Sequence, residues 1–158
     1  MRYLITGLAP HDFSQWFDLS DDELAAHGMR RFIADETPGF PCRVSLQDAP
    51  VGEELILLPW NHLPAPSAWQ ASGPIFVRKQ AGQQAEYIDQ LPPVLDQPQR
   101  LFSVRAYDAQ GAMQEADVAD GGAALVVLLQ HLLAMPQVDF LHGHSARRGC
   151  YFARVVRG

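Results

Sequence analysis

The sequence predicts an α+β fold: one domain with a largely antiparallel or mixed β-sheet, two main α-helices and a C-terminal β-hairpin. Three observations carry this. Two segments repeat apolar residues at helical spacing, around Leu24 and around Leu129. Several shorter runs alternate apolar and polar residues, or are apolar between turn formers, as strands do. The last two runs, Val138–His144 and Cys150–Val156, are separated by one short turn, which makes a hairpin. With 158 residues the chain is long enough for a core of its own, and residues 1–158 show no repeat or linker that would divide them.

The first helix is expected from Asp21 to about Ala34. Ser20 and Glu23 form a capping box, and Leu19 and Leu24 stand at the two positions of a hydrophobic staple. Leu24, Ala25, Gly28, Met29 and Phe32 then share one face, and Pro38–Gly39 ends the element. Phe40, Cys42, Val44 and Leu46 alternate with Pro41, Arg43, Ser45 and Gln47, the period of a half-buried strand. A turn over Asp48–Gly52 leads to a second strand, Glu54–Leu58, expected to pair with the first. Pro59 to Gly73, with its prolines and Trp60 and Trp69, reads as a packed loop, and Pro74–Lys79 as a third strand. Gly82–Pro98 is polar and proline-interrupted, hence a long loop. Arg100–Tyr107 and Ala112–Val118 are strands joined by the turn Asp108–Gly111. Asp120 is placed to cap a helix that runs to about Ala134, with Leu125, Leu128, Leu129, Leu132 and Leu133 on its buried face and Pro136 as its stop.

Charge and composition exclude several classes. A net charge of −6 does not suit a nucleic-acid surface, which needs clustered basic residues in excess. The exception is local: Arg147 to Gly158 holds four arginines and no carboxylate, a patch suited to a small anion. The longest apolar run, Ala123–Leu133, is interrupted by Gln130 and His131 and is too short to span a bilayer. The N-terminus lacks the apolar stretch of a secretory signal. Two cysteines, far apart and without such a signal, read as free thiols in a reducing cytoplasm.

Chemistry concentrates at His142-Gly143-His144-Ser145-Ala146-Arg147-Arg148-Gly149-Cys150. On a strand, His142 and His144 project from one face, roughly 7 Å apart at the backbone, close enough to share a metal. A site needs a third ligand. Cys150 supplies it if the hairpin loop is odd in length. If the loop is even, His144 pairs with a residue such as Tyr151 and Cys150 turns to the other face. The alternative is that both imidazoles hydrogen-bond the turn. His142, His144, Cys150 and Cys42 are thus the catalytic candidates, although Cys42 shares its face with Phe40, Val44 and Leu46 and by default is a buried apolar residue. Arg43 with Ser45, and Arg105 with Ser103, occupy polar strand faces. If these converge with Arg147 or Arg148 they make a guanidinium pocket for a carboxylate or phosphate; otherwise they pair with carboxylates at the surface. His11, His27, His62 and His131 carry no pattern. No phosphate-binding glycine loop, nucleophile elbow or zincin helix is present.

Four stretches, Gly39–Leu46, Ser72–Arg78, Ser103–Asp108 and His142–Cys150, together resemble the uncharacterised bacterial family catalogued as domain of unknown function 1203. The resemblance implies a complete, single-domain bacterial protein and transfers no catalytic role. The leading expectation is therefore a cytoplasmic binder of a small anionic ligand, or an enzyme, with a wall of Arg43, Arg105, His142, His144, Arg147 and Cys150. A rival reading is a non-catalytic interaction module, with Trp60 and Trp69 on the partner surface and a homo-oligomer left open. A third is a zinc or other transition-metal site at His142, His144 and a cysteine. Neither nucleic acid nor membrane is expected as a partner.

Overall fold

Nine strands pair into two antiparallel sheets; the computed structural model describes residues 1–158. In chain order the elements are β1 (Tyr3–Thr6), α1 (Asp21–Ala26), β2 (Arg30–Ile33), β3 (Glu54–Leu63), β4 (Ala71–Arg78), β5 (Glu86–Ile88), β6 (Leu101–Tyr107), β7 (Met113–Asp120), α2 (Ala123–Leu133), β8 (Phe140–Ser145) and β9 (Tyr151–Arg157). The large sheet runs β5-β1-β9-β8-β6-β7 and the small one β2-β3-β4. The α+β class and the C-terminal hairpin are as the sequence predicts.

One face of the large sheet is covered by α2. Phe102, Val104 and Ala106 of β6 and Leu141 of β8 meet Leu125, Leu129, Leu132 and Leu133 there, in the main apolar core. The five leucines expected on the buried face of α2 are all buried. Asp120, however, does not cap that helix: it ends β7 opposite Leu101, and Gly122, at φ +77°, takes the cap position. A second core, including Phe13, Leu24, Ile56, Ile75 and Tyr151, lies between the two sheets. No helix is long and apolar enough to cross a membrane.

Several expected elements are re-formed. The capping box at Ser20 and Glu23 is present, but α1 ends at Ala26 because Gly28 turns the chain at φ +71°. Met29 and Phe32 then pack from extended chain, with Arg31 paired to Ile56. The apolar spacing that suggested one long helix is thus shared by a short helix and a strand.

Phe40–Leu46 is not a strand, and no hairpin joins it to β3. Cys42, Arg43, Val44, Ser45 and Leu46 are all buried, so the alternation does not separate core from water. Their backbone groups bond to different parts of the fold: Arg43 N–H donates to Phe76 O at 3.0 Å, Arg43 O accepts from Leu8 N–H, and Val44 O accepts from Ala85 N–H. The segment is a buried seam between the sheets. β3, in turn, continues through Pro59 and Trp60 to Leu63, where a packed loop was expected. β2 pairs with it only as far as Leu57, so beyond that point it is an edge on one side, where proline is tolerated. Tyr3–Thr6 and Glu86–Ile88 are further strands at the large sheet's edge, neither legible in the pattern.

Candidate metal centre

The face of the large sheet away from α2 carries the polar side chains. Across β6, β8 and β9 the register aligns Arg105 with His142 and His142 with Arg154, and aligns Ser103 with His144 and His144 with Tyr151. The pairing shifts between Gly143 and His144, and β9 advances by two residues there, from Ala153 to Tyr151. This settles the hairpin question. His144 faces Tyr151, and Cys150 belongs to the turn rather than to the imidazole face.

The third imidazole comes from the other sheet. In β3, Asn61 pairs with Ser72 and Leu63 with Ala71, so His62 is the extra residue of a bulge. Bulges re-aim side chains, and this one brings the His62 ring within 4.8 Å of His144 and 5.9 Å of His142, centroid to centroid. Tyr151 lies parallel to His62 at 5.4 Å and edge-on to the other two rings. A ring nitrogen of each histidine lies within 4.8 Å of one from each of the others.

The hydrogen-bonding of this cluster is incomplete in a specific way. His144 Nδ1 lies 2.9 Å from Gly149 O, an acceptor only, so Nδ1 carries the proton and Nε2 a lone pair. His62 Nδ1, His142 Nδ1 and His144 Nε2 are buried and have no hydrogen-bond partner. His142 is 2% and His144 0% exposed, and the remaining buried polar groups of the fold are almost all paired.

Electrostatics keep the rings neutral. Burial lowers the His142 pKa to about 2, with the neighbouring His144 and His62 and then Arg154 and Arg105 adding to the shift. His144 is lowered to about 3, again chiefly by burial, against the opposing hydrogen bond to Gly149. Burial, then Arg105, lowers His62 too, and burial raises the Tyr151 hydroxyl. Three neutral imidazoles with unshared lone pairs are the donor set that zinc and its neighbours bind. The nitrogens lie within 4.8 Å of one another, and a tetrahedron with ordinary Zn–N bonds would bring them to roughly 3.3 Å.

The single pocket expected from the sequence is divided in two. His142, His144, Ser103 and Arg105 stay on the histidine face. Arg43, Arg147, Arg148 and Cys150 line a separate cleft beside the β8–β9 turn. Ser45 joins neither: its hydroxyl accepts from Arg78 Nη1 at 3.4 Å. Cys42 is fully buried, its sulfur accepting from the backbone N–H groups of Val44 and Arg78 at 3.4 Å each. Trp60 packs against Phe13 at 5.1 Å, while Trp69 is exposed. His62 was missed from sequence because its role depends on a bulge and on a neighbouring sheet, and neither leaves a local pattern.

A family model described as a protein of unknown function, DUF1203, matches residues 39–157, a span that contains all three histidines. No curated protein and no solved structure matches the chain.

Proposed function

The chain belongs to the DUF1203 family of proteins of unknown function, and from its site we propose that it binds a transition metal, zinc in the first instance, through His62, His142 and His144. The observation that carries this is that each of three clustered histidines keeps a buried ring nitrogen without any partner in the protein, while ring nitrogens of the three lie within 4.8 Å of one another. Leaving a buried polar atom unpaired costs about 1–3 kcal/mol, and a bound ion removes that cost at all three together.

The neighbouring residues define what the metal does. Gly149 fixes the tautomer of His144, the kind of outer contact that orients a ligating imidazole. Three protein ligands leave the fourth tetrahedral position open, as in catalytic rather than structural zinc sites. The donor set contributes no negative charge, and Arg105 and Arg154 flank His142. The two arginines would favour an anion, or a water held as hydroxide, at the position the protein leaves open. A metal here supplies Lewis acidity to that ligand or to water. Half-buried His62 is the side of the cluster nearest solvent.

The test is elemental analysis of the untagged protein beside a His142→Ala/His144→Ala variant, before and after addition of zinc or cobalt(II). One ion per chain, lost in the variant, with the intense visible absorption of tetrahedral cobalt, is the expected result. A wild-type protein that retains neither ion overturns the reading.

A further inference from the structure

We propose that the cleft between the β8–β9 turn and the small sheet binds an organic anion with a flat apolar body, an aromatic carboxylate. The cleft has a volume of about 710 Å³, in the range of small-molecule sites, and its two walls differ in character. One is aromatic. Phe32, Phe40 and Phe76 are all half-buried and border the opening; Phe76 meets the other two edge to face at 5.4 and 5.3 Å, and Phe32 and Phe40 are tilted at 6.2 Å. The other wall is cationic.

Four guanidiniums line the cleft, those of Arg43, Arg100, Arg147 and Arg148, against one carboxylate, Glu36. Arg100 is already paired with Asp48 at 2.8 Å. Arg43, Arg147 and Arg148 form no ion pair, so even if Glu36 offsets one of them, two positive charges are left over.

Arg43 is the informative member. Only 3% exposed, it donates Nε to Tyr151 O at 2.6 Å and Nη1 to Pro41 O, and its guanidinium lies over the Phe152 ring at 4.3 Å. Both acceptors are neutral carbonyls, and Nη2 makes no hydrogen bond within the chain. Burial lowers its pKa to about 10, which leaves it charged at neutral pH. A buried charge without a counter-ion is costly. This one is held rigidly at the wall of a cleft whose rim carries two more arginines. A carboxylate head meets these groups in the bidentate manner guanidinium favours, and the planar body lies along the phenylalanines.

The cleft has a different lining from the imidazole cluster, and the experiment keeps the two apart. The protein as purified is titrated with 2-naphthoate, with backbone amide shifts and the alkylation rate of Cys150, a thiol in the cleft, as readouts. Saturable shifts centred on Ser145 to Cys150, with slowed alkylation, are expected. In an Arg147→Gln/Arg148→Gln variant, whose exposed side chains carry no fold contacts, affinity falls about tenfold or more, and the uncharged 2-naphthalenemethanol is weaker by a similar factor. Absence of saturation, equal affinity for the alcohol, unchanged affinity in the variant, or shifts centred on His142 and His144 overturns the proposal.

Discussion

His62 and Tyr151 stack ring on ring, with centroids 5.4 Å apart and planes within 5° of parallel. The contact joins the bulge of β3 to the start of β9, and so ties the small sheet to the histidine face of the large one. The position of His62 over His142 and His144 is therefore set by packing between sheets, and the three-histidine cluster exists only where both sheets are in place.

Replacing His62 should separate ligation from packing. His62→Ala is expected to reduce zinc affinity by more than the roughly 10–100-fold typical of losing an outer contact, whereas Tyr151→Phe, which keeps the stacked ring, should stay within that range. Competition against a chelator of known affinity measures both. Equal, small effects would mean that His62 is not a ligand.

The metal-free protein should lose stability as pH falls below neutrality. The unfolded chain protonates its histidines near 6.5, but His142 and His144 in the fold resist protonation until about 2 and about 3. Between those limits the unfolded state binds more protons. The contribution is complete above pH 6.5 and shrinks as pH drops, by up to about 1.4 kcal/mol per pH unit for each ring. Urea unfolding from pH 7 to pH 5, above most carboxylate titrations, reads the slope. A His142→Leu/His144→Leu variant should flatten it, and an identical slope in the two proteins would refute the assignment.

The two thiols should differ sharply in reactivity. Cys42 is fully buried, and Cys150 is half-exposed beside the turn. A disulfide reagent is expected to titrate one thiol in the native protein and both after denaturation, with Cys150→Ser abolishing the native reaction. Native reaction in that variant would restore Cys42 as a nucleophile candidate.

Gly7 should tolerate no side chain. A Cβ there would lie 2.2 Å from Val44 O and 3.0 Å from Arg43 O, both backbone atoms of the buried seam. Gly7→Ala is expected to destabilise the fold by about 1–3 kcal/mol, the usual cost of overpacking. An unchanged urea midpoint would show that the seam can yield, and with it the placement of Arg43.

Much of the architecture was legible because it depends on local repetition. The leucines of α2 recur every three or four residues whatever lies opposite, β6 announces itself by alternation, and β7 and the C-terminal hairpin by the turns that bound them. The misreadings share a cause. Phe40–Leu46 alternates without being a strand: its backbone bonds to Leu8, Phe76 and Ala85 in different parts of the fold rather than to one ladder. Met29 and Phe32 keep helical spacing from Leu24 although Gly28 has already turned the chain. Periodicity reports burial only while one element lasts, and both segments depart from the element their spacing suggests.

The fold class, the buried face of α2 and the placement of His142 and His144 on one side of a strand are legible in the chain, because each follows from neighbours a few residues apart. That the third side chain beside these imidazoles is that of His62 rather than Cys150, and that Arg105 lies apart from Arg43, Arg147 and Arg148, follows from tertiary packing alone. Those outcomes depend on two bulges and on the meeting of two sheets. A shift of a single residue in pairing exchanges the faces of a strand, and nothing local in the chain encodes it.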